Sequence, residues 1–260
     1  MAVTRTMSFM DHLGDLRKKI TVSLIAVCIT FVASFSYSEQ ILKFFMFPLR
    51  YTLDFSVRKM YLYYIYQDKL VNTKLVFLAP TEGFWMNMKI SLVAALILAL
   101  PVIFHQLWSF VAPGLHAKEK KYVVPFVLVA TCLFLIGAAF CFFIVLPFAM
   151  SFLLTYKVGD FMMPMLSVGQ YVDFCLKFVL AFGAVFELPV IIVFFTRMGF
   201  VTTKTLAKNR RYSVLIAFVI AAILTPTPDV FNQTLMAVPM IVLYEVGILA
   251  SKIFAVKQAE

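Results

Sequence analysis

Uncharged stretches of transmembrane length recur along the 260-residue chain. A helix that crosses a bilayer needs about 20 mostly apolar residues, with a range of roughly 17–25. The stretches predict six helices, at about residues 20–38, 90–108, 122–150, 172–196, 212–226 and 230–251. The longest connection covers residues 39–88. We therefore predict an all-α membrane protein in which residues 1–260 form a single polytopic domain.

The composition supports a membrane protein and argues against a soluble domain and a nucleic-acid-binding protein. Hydrophobic residues make up 63% of the chain and charged residues 14%, and the mean hydropathy is +0.94. Soluble domains are nearer ~45–50% apolar and ~25% charged. The net charge of +10 does not indicate nucleic-acid binding, because the basic residues lie in short breaks between apolar runs.

The basic residues also predict the orientation in the membrane. The N-terminus, the loops at 108–121 and 197–211 and the C-terminus hold 14 Lys and Arg residues, against 7 in the opposite loops. Cytoplasmic segments carry the excess of Lys and Arg in membrane proteins. With an even number of helices, we expect both termini in the cytoplasm and the loop at 39–88 outside.

The last two predicted helices form an unusually short hairpin. The uncharged run 212–228 gives at most about 25 Å of helix, against a hydrocarbon core of roughly 30 Å. The turn Pro226-Thr227-Pro228-Asp229 leaves little slack, so we expect tilt or local thinning of the bilayer, with Asp229 capping the last helix. Prolines in or at the ends of other spans predict kinks and a concave bundle; they are Pro101, Pro125, Pro147, Pro189 and Pro239.

Glu187 is the most informative polar residue, since it lies in the middle of a predicted span. A carboxyl group there costs ~2.5–3.5 kcal/mol on insertion scales. Two interpretations are open: a hydrogen-bonded group that packs helices, or a polar docking point in a hydrated cavity. The Lys177 side chain is expected to extend its ammonium group toward the membrane–water interface. Gln233 is suited to a hydrogen bond between helices.

Asp15 and Glu119 are acidic residues in otherwise basic segments. One interpretation is local pairing, as between Asp15 and Lys19 at i,i+4. The other is recognition of a cationic ligand, because two carboxylates suit guanidinium groups. The i,i+3 spacings of His12 with Asp15 and of His116 with Glu119 are weak indications of a metal site. Since there is no phosphate loop and no nucleophile–base pair, the sequence predicts neither an enzyme nor a cofactor.

Motifs in the same order along nearly the whole chain resemble those of one known family. They are His12-Leu13-x-Asp15-Leu16-Arg17; Pro80-Thr81-Glu82-Gly83-Phe84 with Lys89; Pro101; Gln106-x-Trp108-x-Phe110-x-x-Pro113-Gly114-Leu115-x-x-x-Glu119; Gly137, Phe140 and Pro147; Phe182-Gly183-x-x-Phe186-Glu187-x-Pro189; and Thr225-Pro226-x-Pro228-Asp229 with Gln233, Pro239 and Leu243-Tyr244-Glu245. The chain is similar to the C subunit of the twin-arginine protein translocase, the TatC family.

This resemblance implies six helices in a curved, glove-like bundle in the inner membrane, with both termini cytoplasmic. It implies a receptor for folded cargo proteins. The signal peptide of such cargo bears two consecutive arginines, which the receptor recognises and which do not anchor the cargo in the membrane. Asp15 and Glu119 match the acidic positions that bind the arginine pair. The other residues that it assigns to the signal-peptide site are Leu16, Arg17, Phe110 and Pro113.

The resemblance also implies partners within the membrane. Glu187, Gln233 and Thr225 match intramembrane polar positions at which single-span subunits, TatA-like and TatB-like, dock. The family further implies self-association in a multi-copy receptor complex, contact with membrane lipids, and transport powered by the proton-motive force. The residues that it assigns to structural roles are Pro48, Pro189, Asp229 and Pro239.

The chain departs from the family pattern at two places. Asp15 stands where Glu is usual, which keeps the charge but shortens its reach by one methylene. The segment at about residues 53–74, rich in tyrosine, resembles an insertion in the external loop. It suits either the membrane interface or contact with another subunit.

Two other functions stay open from the residues alone. A secondary transporter or proton-coupled channel would use Glu187 and Lys177, although such proteins are often built from inverted repeats and none is visible between residues 1–121 and 122–260. A passive scaffold would leave Asp15 and Glu119 freely replaceable.

Overall fold

The computed structural model describes residues 9–56, 61–66, 75–111, 123–155, 166–225 and 229–255. Helices account for nearly all of them. They are α1 (Phe9–Ser36), α2 (Ser38–Phe45), α3 (Phe47–Arg50), α4 (Glu82–Val111), α5 (Val123–Phe140), α6 (Leu146–Thr155), α7 (Val168–Val185), α8 (Leu188–Arg197), α9 (Thr203–Lys208), α10 (Arg210–Leu224) and α11 (Val230–Ala255). The predicted helical membrane fold is confirmed.

A β-hairpin interrupts the otherwise largely helical chain. Strands β1 (Tyr51–Ser56) and β2 (Tyr61–Tyr66) pair antiparallel, with Tyr51 opposite Tyr66 and Ser56 opposite Tyr61. The hairpin falls largely in the segment that resembles an insertion. Four of the six residues of β2 are tyrosines, and aromatic residues favour strands, so local propensity explains the difference.

Five stretches are long and apolar enough to span a membrane in the described part of the chain. They are Leu13–Ser36, Glu82–Phe110, Val124–Leu154, Val168–Arg197 and Val230–Ile253. The sixth helix of the bundle is α10, which has only 15 residues. At 1.5 Å per residue it rises about 22 Å, short of the roughly 30 Å of a hydrocarbon core.

Several helices begin earlier than the hydropathy pattern indicates. α1 begins at Phe9 and not near 20, α4 at Glu82 and not near 90, and α7 at Val168 and not near 172. Hydropathy marks the part of a helix that matches the hydrocarbon core. The polar layers on either side of the core accommodate further helical turns with charged side chains.

Two spans are interrupted at prolines. The third consists of α5, a π-helical turn at Cys141–Val145, and α6, so that it continues past Pro147 to Thr155. Proline lacks an N–H and clashes with the carbonyl four residues earlier, and a π-helical turn accommodates such a disruption. The fourth span breaks at Phe186 and Glu187, between α7 and α8.

Burial is uneven across the bundle. α7 is central, with Tyr171, Phe178 and Phe182 fully buried. It packs against α4 and α5, while α8 and α10 pack on α11. α1 packs mainly against α4, and only 6% of the residues in the most apolar part of its span are buried. The hydroxyl of Thr30 on α1 donates to the Ala95 carbonyl of α4 at 2.9 Å.

Candidate functional site

One group of predicted residues lies where the beginning of α1 meets the end of α4. The ammonium of Lys19 donates to the Ser109 hydroxyl at 2.7 Å and lies 3.7 Å from the Asp15 carboxylate. The Lys19 side chain is 14% exposed and that of Asp15 is 35% exposed. Leu16 is half-buried and Arg17 is exposed. Asp15 is thus an accessible carboxylate beside a cation that a second helix holds in place.

An apolar groove adjoins this carboxylate. It lies between α1 and α4 and has a volume of about 340 Å³. Leu16, Lys19 and Phe110 lie at one end, and apolar residues of both helices continue the walls. Phe110 is half-buried. Glu119 and Pro113, which the sequence assigns to the same site, lie outside the described residues.

An aromatic cluster fixes the neighbouring helix ends. Trp108 at the end of α4 stacks on Phe126 of α5 with ring centroids 4.9 Å apart, and its edge meets Phe194 of α8 at 4.9 Å. The guanidinium of Arg197 lies 5.9 Å from the centre of the Phe126 ring. Sequence reasoning did not find this cluster, although Trp108 belongs to a quoted motif. It holds α4, α5 and α8 together on the side where α4 ends.

Glu187 lies at the break between α7 and α8 and is buried. Its Oε1 has no hydrogen-bond partner within the described part of the chain. Its backbone carbonyl accepts from the Ile191 N–H, so the residue starts α8. Lys177, which a transporter would pair with Glu187, is exposed, whereas Glu187 is buried. Ten residues, roughly 15 Å of helix, separate the two groups invoked for a proton pathway.

A close crossing of α5 and α7 precedes this break. A Cβ on Gly137 would lie 2.7 Å from the Phe182 carbonyl and 2.6 Å from the Phe186 ring. A Cβ on Gly183 would lie 2.5 Å from the Phe134 ring. Small residues allow helix backbones to approach closely in membranes. The two glycines thus set the position of the chain that leads into Glu187.

The remaining polar residues belong to the α10–α11 hairpin. The amide of Gln233 donates to the Phe218 carbonyl at 3.0 Å and joins the two helices. The buried hydroxyl of Thr225 donates to the Ala221 carbonyl of its own helix at 2.8 Å. The Asp229 carboxylate accepts from the Asn232 N–H at 2.7 Å, which is an N-cap bond at the start of α11.

The prolines with predicted structural roles occupy characteristic positions. Pro48 and Pro189 are buried in the first turns of α3 and α8, where a missing N–H breaks no helical bond. Pro239 lies inside α11. No group of three or more His, Cys, Asp or Glu residues suited to a metal ion occurs among the residues that the structure describes.

Sequence reasoning also missed a junction at the opposite end of the bundle. The Glu82 carboxylate, at the start of α4, accepts hydrogen bonds from the Ser167 hydroxyl and from the Gly169 N–H at 2.8 Å. Its second oxygen accepts from the Leu78 N–H at 2.6 Å. Ser167 also caps α7. This Glu82 junction (Glu82, Ser167, Gly169) places the first turns of α4 and α7 side by side.

Long apolar helices with buried polar groups between them define a multi-pass helical membrane protein, and a polar site lies at one end of it. The model of the family "Sec-independent protein translocase protein (TatC)" matches residues 11–239. The chain belongs to the TatC family. It is accordingly a component of a protein translocase, a transport protein and not a classical enzyme.

Relatives and solved structures agree with this family. The chain is 39% identical to a TatC of Carboxydothermus hydrogenoformans, covering 98% of this chain and 96% of the relative. It is 36% identical to a TatC of Aquifex aeolicus, covering 98% of both chains. A crystal structure of a twin-arginine translocase receptor, TatC in DDM, superposes with a TM-score of 0.78 at 36% identity, covering 92% of this chain and 99% of that one. The six-helix, glove-like arrangement is that of the family.

Proposed function

We propose that this protein is the receptor subunit of a twin-arginine translocase in the inner membrane, with both termini in the cytoplasm. It binds the twin-arginine signal peptide of folded cargo at its cytoplasmic face. It then nucleates assembly of TatA-like and TatB-like single-span subunits in a multi-copy complex. The observation that carries the proposal is the accessible Asp15 carboxylate beside an apolar groove, in a chain of the TatC family.

The geometry at Asp15 supports a cationic ligand over a purely local ion pair. At 3.7 Å the Lys19 ammonium is beyond a good hydrogen bond, and Ser109 holds it. The carboxylate keeps acceptor sites for other donors. A guanidinium offers two parallel N–H donors to a carboxylate and so makes a stronger contact than a lysine does.

The groove supplies a site for the apolar part of the ligand. Because it begins at Leu16 and Phe110, a peptide with arginines at Asp15 would pass directly onto apolar walls. We assign Arg17 to the same polar rim, and Glu119 and Pro113, which follow α4 in the sequence, to the same signal-peptide site. Glu119 would then provide the second carboxylate for the arginine pair.

Partner subunits would dock at Glu187, Gln233 and Thr225. A buried polar atom without a hydrogen bond costs about 1–3 kcal/mol, so a donor on an incoming helix would be favoured at Glu187 Oε1. The hydroxyl of Thr225 already donates within its own helix, which leaves it as an acceptor. Transport would draw on the membrane potential, worth ~2.3 kcal/mol per charge per 100 mV.

Affinity for a twin-arginine signal peptide tests the receptor assignment. The purified full-length protein should bind such a peptide more tightly than a twin-lysine peptide of otherwise identical sequence, because lysine lacks the bidentate fork. Raising the salt concentration should weaken binding, since the contact is ionic and exposed. Titrating labelled peptides at two salt concentrations measures both effects. Equal affinity for the two peptides would contradict the proposal.

Glu187→Ala is expected to weaken association with single-span subunits about tenfold, with little change in signal-peptide affinity. The reason is that Glu187 is buried at the α7–α8 break, whereas the partly exposed Asp15 side chain lies in the first half of α1. Co-purification of the partner subunits measures their association, and peptide titration measures the signal-peptide affinity. Glu39→Ala, which removes an exposed acid, is the control. A loss of peptide binding as large as the loss of partner association would refute this division.

A further inference from the structure

A charged cluster on α4 and α7 has no part in the proposed function. The Lys89 ammonium lies 2.8 and 2.9 Å from the two carboxylate oxygens of Asp173. Lys177 follows Asp173 by four residues, so both lie on the same face of α7. It is exposed, and no ion-pair partner for it occurs among the described residues. The cluster (Lys89, Asp173, Lys177) thus carries two ammonium groups and one carboxylate, a net charge of +1.

The cluster lies at the depth of one membrane boundary. The span Val168–Arg197 has 30 residues and breaks at Glu187. It therefore rises at most about 45 Å against a hydrocarbon core of roughly 30 Å, which leaves at most about 7 Å beyond the core at each end. Lys177 is nine residues from the start of the span, about 13 Å along the helix axis. Its backbone therefore lies about 6 Å inside the hydrocarbon core. Its flexible stem returns the ammonium toward the boundary.

Two observations on α4 agree with this depth. The Glu82 junction sets the start of α4 beside the start of α7, so Lys89 is at a level similar to that of Asp173. Trp85, one turn before Lys89, is 56% exposed. Exposed tryptophans are enriched where the headgroups meet the hydrocarbon. The cluster therefore lies just inside a belt that faces lipid headgroups.

An anion other than the Asp173 carboxylate is needed to compensate the charge of Lys177. Both oxygens of Asp173 are already bonded to Lys89, so Lys177 retains an uncompensated charge at the edge of the hydrocarbon, where an ionised group is costly. We propose that Lys89 and Lys177 form a binding site for the phosphate of an anionic phospholipid, next to the Asp173 carboxylate that pairs with Lys89. Lysine binds phosphate as a compact point charge.

The net charge of the cluster explains why the lipid should be anionic. The headgroup of phosphatidylcholine carries a quaternary ammonium as well as a phosphate. Its net charge is zero, so it does not compensate the charge of Lys177. The headgroup of phosphatidylglycerol brings one net negative charge. A lipid is also favoured over a partner helix, because Lys89 and Asp173 are 47% and 39% exposed and phosphate is abundant at this depth without any subunit.

Native mass spectrometry of the purified full-length protein tests the site. After exchange into mixed micelles, the wild type should retain phosphatidylglycerol at least fivefold over phosphatidylcholine, and Lys177→Gln should lose most of this preference. Lys177→Arg should keep it, because the charge remains. Lys43→Gln, at an exposed lysine paired with Glu39, is the matched control and should behave as the wild type. Asp173→Asn should increase phosphatidylglycerol retention severalfold.

Three results would overturn the proposal. One is a preference for phosphatidylglycerol that Lys177→Gln leaves intact. Another is displacement of the lipid by millimolar inorganic phosphate, which would make the cluster a general phosphate site. The third is a carbodiimide cross-link from Lys177 to a carboxylate of a co-purified single-span subunit, which would assign the cluster to a protein partner. None of these results bears on peptide binding at Asp15, so the receptor proposal is tested separately.

Discussion

Reversing two charges, Asp15→Lys together with Glu119→Lys, should lower the affinity for a twin-arginine signal peptide at least about 100-fold. A hydrogen bond to a charged group contributes about 1.5–3 kcal/mol, and each 1.4 kcal/mol is a factor of about ten in affinity. Two such contacts are lost, and each lysine also repels the arginines. Peptide titration of wild type and variant at the same salt concentration gives the ratio.

Two control variants separate recognition from general damage. Glu39→Lys reverses another acid that pairs with a lysine four residues later, as Asp15 does, and it should leave peptide affinity unchanged. Asp15→Glu restores the usual family residue and should bind at least as well as the wild type. If the double reversal binds the peptide normally, Asp15 is only the local partner of Lys19. A passive scaffold would then account for the site.

Gly137→Ala should destabilise the bundle by about 1–3 kcal/mol, the usual cost of overpacking a core, and should reduce partner association as well. The added methyl would lie 2.7 Å from the Phe182 backbone carbonyl. A backbone atom in a helix cannot move without shifting the helix. The shift would carry Phe186 and Glu187 with it. The melting temperature in detergent, which should fall by roughly 2–12 °C for this loss of stability, and co-purification of partner subunits measure the two effects.

Gly183→Ala is the matched control for this crossing. The three atoms nearest to its methyl would all belong to the outer edge of the Phe134 ring, the closest at 2.5 Å. A side-chain ring can rotate or tilt away, so the melting temperature should fall less than in Gly137→Ala. If both variants are as stable as the wild type, α5 and α7 do not cross as closely as the structure indicates.

Much of the fold could be predicted, because hydrophobicity alone marks the spans. The short last hairpin also follows from the sequence, since Pro226 and Pro228 limit the run that precedes them. The helix starts at Phe9 and Glu82 could not be predicted in the same way, because they lie beyond the apolar part. The strand β2 could have been predicted from its four tyrosines, a local signal that we interpret from the sequence as suiting either the membrane interface or contact with another subunit.

The site could be predicted only where a single residue was itself unusual. Glu187 stands out because a carboxyl group in an apolar span is costly. The contact of Glu82 with Gly169 and that of Lys89 with Asp173 join residues 87 and 84 positions apart. No periodicity in the chain pairs such residues. Lys19 was assigned correctly as a neighbour of Asp15, but its bond to Ser109 depends on how α1 packs against α4.

The sparse packing of α1 has a consequence for the biogenesis of the protein. Chains are synthesised from the N-terminus, so α1 enters the bilayer before α4, its main neighbour, has been made. Lipid tails solvate its apolar side chains as well as a neighbouring helix would, and only 6% of the residues in the most apolar part of its span are buried in the finished fold. The helix is therefore stable in the membrane before α4 has been synthesised. Its insertion and its docking onto α4 are separable steps, and the second fixes Lys19 against Ser109.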